Sequence, residues 1–256
     1  MATQIPVTVE TKVWEKDWRF ILERGLIKRS IGIFSEVASK RRLFINNVTH
    51  PQQVGLCADE LVDEGIIDDY VFVEDYADAS LKFFDLKRSD FGKGFYYSIA
   101  ELVSIYLCET EFLLHFSGDT YALNAKPDLW LYDAVKVLRD KDDVSVFNLT
   151  WDEKFLEAER DAEFQDKNFF YGYGFSDQMY LIRAGEFRKN IYKHHHPASD
   201  RYPKYGGELF EKRVDSWMRT TNRLRATSRN WSYRHRNFPQ WNSLQGLIYR
   251  AFPKLL

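Results

Sequence analysis

Apolar residues along this chain come in short continuous runs that end on polar side chains, and between the runs they recur at helical spacing. The run "RRLFINNV" (41–48) closes on Asn46-Asn47, and "HPQQVGLCADELVDEGI" follows with Pro at its start and Gly65 at its end. That pattern predicts a strand and then a helix. "IDDYVFVEDY" (67–76) repeats the plan, predicting a strand that ends in Glu74-Asp75, and "ADASLKFFDL" has helical spacing. "GFYYSIAELVSIYLCET" (94–110) predicts a third helix, which delivers the chain into the strand "EFLLHF" (111–116) and its abrupt stop at Ser117-Gly118-Asp119. Further on, "DDVSVFNLTWDEKF" (142–155) and "FSDQMYLIRAGEF", which carries Asp177 near its start, read as strands. "YGGELFEKRVDSWMRTTNRL" (205–224) reads as a Gly-Gly turn leading into an amphipathic helix. Strands alternating with helices imply parallel pairing, and their near-continuous apolar character implies a sheet covered on both faces. The predicted class is α/β, doubly wound.

In open α/β sheets ligands bind beyond the carboxyl ends of the strands. Three of the predicted strands finish on amide or carboxylate groups: Asn46-Asn47, Glu74-Asp75 and Ser117-Gly118-Asp119. On one edge of a sheet they would build a single polar cleft. One polar strand end says little, because loops after strands are usually polar. Their conjunction says more.

At 256 residues, with 45% hydrophobic and 16% aromatic content, the chain can bury one sizeable core. Its two cysteines, Cys57 and Cys108, have no metal-ligand spacing, which favours a reduced compartment and apolar, structural roles. The N-terminus lacks an apolar signal core and no run approaches membrane-spanning length, so a soluble, cytoplasmic protein is expected. The net charge of -2 hides an asymmetry: residues 183–256 hold 16 Lys or Arg against 5 Asp or Glu, or +11, leaving -13 for residues 1–182. Such a basic quarter suits a diphosphate, a phospholipid surface or nucleic acid; equally, it suits a pair of solvated helices folding back onto the acidic part.

The order of these pieces resembles the nucleotide-diphospho-sugar glycosyltransferases of the GT-A fold, most closely the family 2 type. "VFVEDYAD" (71–78) is similar to that family's second strand. "FGKGFYYSIAELVSIYLCETEFLLHFSGDTYAL" (91–123) is similar to its helix and metal-binding strand, and "GFSDQMYLIRAGEF" (174–187) to its later acceptor-side strand. The resemblance spans roughly residues 41–220 and rests on order and spacing more than on identities. It implies a GT-A-like mixed sheet with helices on both faces and a C-terminal helical segment, forming one domain over 1–256. Within it, 41–120 would bind the nucleotide, 121–220 the acceptor, and 221–256 would be a basic segment. The implied activity moves a sugar from a nucleotide-diphosphate donor to the hydroxyl of a glycan or lipid-linked acceptor, with inversion, in glycan or polysaccharide synthesis. The implied cofactor is Mn²⁺ or Mg²⁺.

Carried over by position, the resemblance places Asn47, Glu74 and Asp75 at the nucleobase or ribose, and Asp119 at the second acid of the metal motif. Ser117 stands where the first acid belongs, with Gly118 between. Hard cations commonly take one or two protein carboxylates and complete their shell with phosphates and water. One Asp therefore implies a cation held weakly without donor, or one replaced by basic side chains. The family's catalytic base lies near a helix N-terminus after a Gly-containing loop, which points to Glu208, with Asp177 as rival. Glu208 equally fits a helix-start acid complementing the dipole. His235, in the Arg-rich "RNWSYRHRNF", is placed to meet a diphosphate or metal, against a plain basic surface. Lys93, between Gly92 and Gly94, would present an ammonium and backbone N–H groups to phosphate. His194, His195 and His196 diverge as neighbours and read as a polar loop. The aromatics Tyr171, Tyr173, Phe175, Trp217 and Trp231 suit sugar or base faces, although most of the 42 aromatic residues must be core. Two other classes compete. A sugar-phosphate nucleotidyltransferase lacks its N-terminal Gly-rich segment here, and a non-catalytic nucleic-acid or anionic-surface module would rest on the basic C-terminus. With the transferase preferred, nucleic acid is not an expected partner, while peripheral membrane contact through the C-terminus is.

Overall fold

The computed structural model describes residues 4–123, 126–203 and 207–251. The central strand is one that no continuous apolar run announces. β1 (Ile5–Val13) alternates apolar and polar side chains, yet Thr8, Glu10 and Thr11 are buried with Val7, Val9 and Val13. β2 (Ala38–Ile45) and β4 (Phe112–Ser117) flank it in parallel, and β3 (Asp69–Phe72) runs parallel outside β2. Beyond β4 the sheet becomes mixed. β9 (Met179–Arg183) is antiparallel between β4 and β6 (Val144–Trp151), and β10 (Leu224–His235) is parallel to β6. β8 (Phe169–Gly172) and β7 (Phe164–Gln165) complete that side, while β5 (Thr120–Leu123) folds back from β4 to pair with β10. The order is β3-β2-β1-β4-β9-β6-β10-β8-β7, with β5 on β10. This is a mixed α/β sheet, as the resemblance implies.

Helices cover both faces. α1 (Ile27–Ser30), α2 (Pro51–Asp63) and α6 (Pro127–Asp140) bury Ile27, Val54, Ala58, Leu61, Trp130 and Leu138 against one face. Against the other lie α3 (Val73–Phe83), α4 (Arg88–Phe91), α5 (Phe95–Leu107), α8 (Ala184–Phe187) and α9 (Phe210–Thr220). Every residue of α5 from Ser98 to Ile105 is buried, because that helix is enclosed by the sheet, α3 and α9. α7 (Phe155–Arg160) is a short surface helix after β6. α10 (Leu244–Ala251) ends the described chain.

Thr8, Glu10 and Lys12 share the face of β1 that lies under α5, and find partners on α5, on β4 and at Thr110. Glu10 accepts from Ser104 Oγ at 2.5 Å and lies 3.1 Å from His115 Nδ1, while Lys12 pairs with the buried Glu101. Burial pulls the His115 imidazole below its usual value and so favours its neutral form. Pairing of this kind lets a strand with a polar stripe occupy the middle of a core.

Two boundary expectations change. The second run leaves the sheet at Phe72, where β3 reaches the end of β2's ladder, so Glu74 and Asp75 form the first turn of α3. There their charges complement the helix dipole. The basic quarter is not only helical: besides α8 and α9, Leu224–His235 is a strand inserted between β6 and β8, burying Leu224, Ala226, Ser228, Ser232 and Tyr233. Its arginines obscure two buried stretches, Ala226–Thr227–Ser228 and Ser232–Tyr233. After β10, α10 is the only helix among the described residues, and Tyr205-Gly206 of the expected turn lies outside them. Phe238, Trp241 and Tyr249 fasten the arm after β10 onto Phe20, with ring centroids 5.0, 4.8 and 6.5 Å away.

Candidate active site

Because β1, β2, β4, β6 and β10 run the same way, their carboxyl ends share one edge, and antiparallel β9 starts on that edge. This is why Asp177 and Gln178, far from β4 in sequence, lie beside Ser117, whose N–H donates to the Gln178 carbonyl at 2.7 Å. Two adjoining cavities open there. One, of about 300 Å³, is lined by residues that include Lys12, Asp17, Ser117, Gly118, Asp119, Asp177, Gln178 and His235. The other, of about 870 Å³, is lined by Asn47, Glu74, Asp75, Tyr70, Arg88 and Phe95 among others. Asn46 borders both. Asn46 and Asn47 donate through Nδ2 to the Tyr96 carbonyl at 3.4 and 3.0 Å, tying the end of β2 to α5.

The β4–β5 turn is gripped from below. A Cβ on Gly118 would stand 2.6 Å from the Lys12 carbonyl and 3.4 Å from Asp17 Oδ2, so only glycine lets the turn lie on the end of β1. Asp17 Oδ1 accepts from the Trp14 N–H at 2.8 Å. Burial pushes the Asp17 carboxyl well above the usual carboxylate range, and the nearby charge of Asp119 adds to this. Asp119 Oδ1 accepts from Ser117 Oγ at 2.9 Å, and its Oδ2 lies 3.1 Å from His235 Nε2. The β5–β10 ladder sets this pair: Thr120 stands opposite His235, and the Arg236 N–H donates to the Asp119 carbonyl at 2.9 Å. Burial opposes a charge on His235, but the hydrogen bond and charge of Asp119 outweigh it and raise the imidazole above its usual value.

A second acid pair faces the same edge. Glu211, in the first turn of α9, accepts from the Asp177 N–H at 3.1 Å. Burial drives the Glu211 carboxyl well above its usual range, and Asp177 adds like charge. Two adjacent carboxyl groups of which one is held protonated are suited to take and return a proton near neutral pH.

The structure gathers Ser117, Gly118, Asp119, Asp177 and His235 in the smaller cavity, and Asn47, Glu74 and Asp75 in the larger. It does not bring Glu208 or Lys93 to either. Glu208 is exposed, pairs with Lys212 at 2.8 Å, and the helix begins two residues later than its Gly-Gly turn suggests. The Gly92–Gly94 turn packs against Gly207, where a Cβ would meet Phe91 O at 2.8 Å and Lys93 N at 3.3 Å, so its backbone turns inward and not toward a ligand. The three histidines go separate ways: His194 bonds Thr220 at 2.8 Å, His195 lies 3.7 Å from Asp200, and His196 accepts from the Ala198 N–H. Tyr171, Phe175 and Trp217 are core, and Tyr173 and Trp231 pack on its margin.

Sequence reading missed Lys12, Asp17, Gln178 and Glu211. Lys12 and Asp17 belong to the unannounced β1 and its exit. Glu211 carried one signal: it is the acid one helical turn beyond Glu208.

Among the described residues, no three His, Cys, Asp or Glu side chains converge as a metal site. Asp119 supplies one oxygen donor, and His235 a nitrogen only once it is deprotonated and released from Asp119, which fits a divalent cation only when a ligand's phosphates complete its shell.

No family model and no curated protein matches the sequence. Solved structures similar to the chain include glucosyl-3-phosphoglycerate synthase from Mycobacterium tuberculosis with Mn²⁺, UDP and glucosyl-3-phosphoglycerate. It is 12% identical, with 93% of this chain and 74% of that one covered and a TM-score of 0.49. The galactosyltransferase LgtC, in complex with donor and acceptor sugar analogues, is 13% identical over 82% of this chain and 70% of that one, with a TM-score of 0.44. The chemistry of the site is read from this chain's own geometry.

Proposed function

We propose that this chain transfers a sugar from a nucleotide-diphosphate donor to an acceptor hydroxyl. The observation that carries the reading is one cleft at the carboxyl edge of a mixed α/β sheet in which an imidazole–carboxylate pair, Asp119–His235, meets Asp177, whose backbone N–H holds the carboxyl of Glu211 behind it. Beside it, the larger cavity has the size of a small-ligand site and an acidic rim of Glu74 and Asp75 for ribose or base hydroxyl and amino groups.

In this reading the acceptor oxygen attacks the anomeric carbon, the bond from that carbon to the diphosphate oxygen breaks, and the leaving nucleoside diphosphate carries away the electron pair. The carboxylate of the Asp177–Glu211 pair takes the acceptor's proton. The protonated His235 and the Lys12 ammonium face the negative charge that develops on the diphosphate. Asp119 and the neutral form of His235, in place of their ion pair, would hold Mn²⁺ or Mg²⁺, which when bound supplies the neutralisation of the leaving group that the imidazolium gives without it. Inversion, and a role in glycan or polysaccharide synthesis, follow from the resemblance to family 2 enzymes. The nucleotide then belongs to residues 1–120, extended to include β1, and the acceptor to the half that follows.

No described helix is long and apolar enough to cross a membrane. A peripheral contact fits α10, whose Leu244, Leu247 and Ile248 are exposed on one face, within a stretch carrying no Asp or Glu after Asp215.

Titration with nucleoside diphosphates, with and without Mn²⁺, followed by thermal shift, tests the reading, because a ligand of the native state raises its melting temperature. The expected result is stabilisation that is lost in Asp119→Asn. Indifference to every nucleoside diphosphate at millimolar concentration would count decisively against it.

A further inference from the structure

We propose that a third cavity, centred on Arg225, is an acceptor subsite that binds an anionic oxygen group, phosphate or carboxylate, on the acceptor. The assignment to an acceptor rests on the transferase reading of the adjoining cleft.

Most basic side chains of the C-terminal quarter are tied to the rest of the molecule. Arg219 lies 2.9 Å from Asp215, Arg223 lies 3.6 Å from Glu186, and Arg234 lies 3.5 and 3.4 Å from Asp152 and Glu153. Arg229 donates to the Asp166 carbonyl at 2.5 Å. Arg225 is different. Among the described residues no carboxylate reaches salt-bridge distance of it, and its enclosed Nε has no hydrogen-bond partner. Its position is nevertheless fixed, since its backbone lies between Val146 of β6 and Gly172 of β8.

A second cation approaches the same place. A Cβ on Gly174 would stand 2.9 Å from Arg201 Nη2 and 3.0 Å from Arg225 Nη1, so two guanidinium groups converge on one point of the backbone. Burial holds the Arg225 guanidinium below its usual value, and the charge of Arg201 lowers it further. Arg201 has Asp215 at 3.6 Å, so among the described residues the desolvated Arg225 is the one of the two without a counter-ion, and a guanidinium fork suits a phosphate or carboxylate.

The cavity, of about 260 Å³, is lined by Arg225, Lys154 and the hydroxyl side chains Thr150, Ser176, Thr227 and Tyr233. Its own carboxylates do not neutralise Arg225: Glu157 lies 3.6 Å from Lys154, and Asp161 acts on Arg225 only beyond salt-bridge range. Its size suits a small acidic acceptor or the charged end of a larger one. Gln178 lines this cavity and the donor cleft alike, with Tyr233 Oη donating to Gln178 Oε1 at 3.1 Å. Gln178 is thus shared by the Arg225 cavity and the cleft that holds Asp177, which makes the two neighbours across one side chain.

The test is a thermal-shift titration with inorganic phosphate and, separately, acetate, on the wild type and on Arg225→Gln, Lys154→Gln and Asp119→Asn. The expected result is stabilisation of the wild type and of Asp119→Asn, with apparent affinity weakened at least about tenfold in Arg225→Gln and less in Lys154→Gln. The stronger of the two anions identifies the acceptor group. Without anion, Arg225→Gln should melt no lower than the wild type, because no partner is lost. Should it not fold, the Lys154→Gln comparison carries the test, and its anion affinity must fall. Equal responses in wild type and Arg225→Gln, or a response lost only in Asp119→Asn, overturn the proposal. Arg225-dependent phosphate binding without any nucleoside diphosphate binding keeps the anion site and overturns its assignment to an acceptor.

Discussion

Placing a methyl group on Gly118 is the sharpest test of how the site is positioned. In Gly118→Ala the new carbon meets Ile21 Cδ1 at 2.2 Å and the Lys12 carbonyl at 2.6 Å. The Ile21 methyl can rotate aside, but the Lys12 carbonyl belongs to the central strand and cannot. Carbon and carbonyl oxygen approach no closer than about 3.3 Å, so the β4–β5 turn must lift by more than half an ångström, or β1 must bend. Overpacking of this kind costs about 1–3 kcal/mol, and each kcal/mol lowers the melting temperature of a chain this size by about 2–4 °C. The lift also carries Asp119 off His235, now 3.1 Å away. Misplacement on that scale can cost about a hundredfold in a catalytic step. Differential scanning fluorimetry reads the first effect, and nucleoside diphosphate titration with turnover reads the second. A variant with wild-type melting temperature and unaltered ligand response would refute the claim that β1 grips the turn.

Asp177→Asn, which removes the ionised member of the acid pair, should cut turnover by about 10²- to 10⁴-fold, the usual contribution of a general base, while Glu211→Gln keeps the neutral partner's shape. The effect of Glu211→Gln on stability has a definite sign. With the folded-state value raised, Glu211 contributes stability that is fully present below its unfolded value and lost as pH rises through the folded one. The variant's melting temperature should therefore fall less over that rise, and parallel pH curves would rule the argument out. Glu208→Ala should change stability by no more than about 0.5 kcal/mol and leave turnover intact, since it removes only an exposed pair with Lys212; a large loss of turnover would return the base to Glu208. Lys12→Met strands the buried Glu101 and should cost about 3–5 kcal/mol in chemical denaturation. Adding Glu101→Gln should recover much of this, and additive losses would show that the pair is not coupled. Leu247→Glu on α10 should abolish co-sedimentation with anionic vesicles without lowering the melting temperature, and binding that survives would remove the membrane contact.

The alternating strands and helices from Arg41 to Phe116 were legible because a sheet covered on both faces demands continuous apolar runs, and helices announce themselves by spacing, Pro51 and Gly65. That pattern also put Asn47, Ser117, Gly118 and Asp119 on one edge, since parallel strands must end together. β1 was not legible: its Thr8, Glu10 and Lys12 look like a solvent face, and only packing under α5, where Ser104, His115 and Glu101 receive them, makes that strand central. Nor does sequence alone state that β9 runs antiparallel, which is what delivers Asp177 to the cleft. The exchange of Glu208 for Glu211 turns on a helix start two residues later than its turn chemistry suggests, and a shift of that size rotates a side chain from solvent to cleft. The chain's local pattern therefore determined which elements form and which strand ends are polar. Tertiary pairing decided which charges meet, because His235 reaches Asp119, and Arg225 stays without a carboxylate partner among the described residues, only through the ladders that β10 makes with β5, β6 and β8.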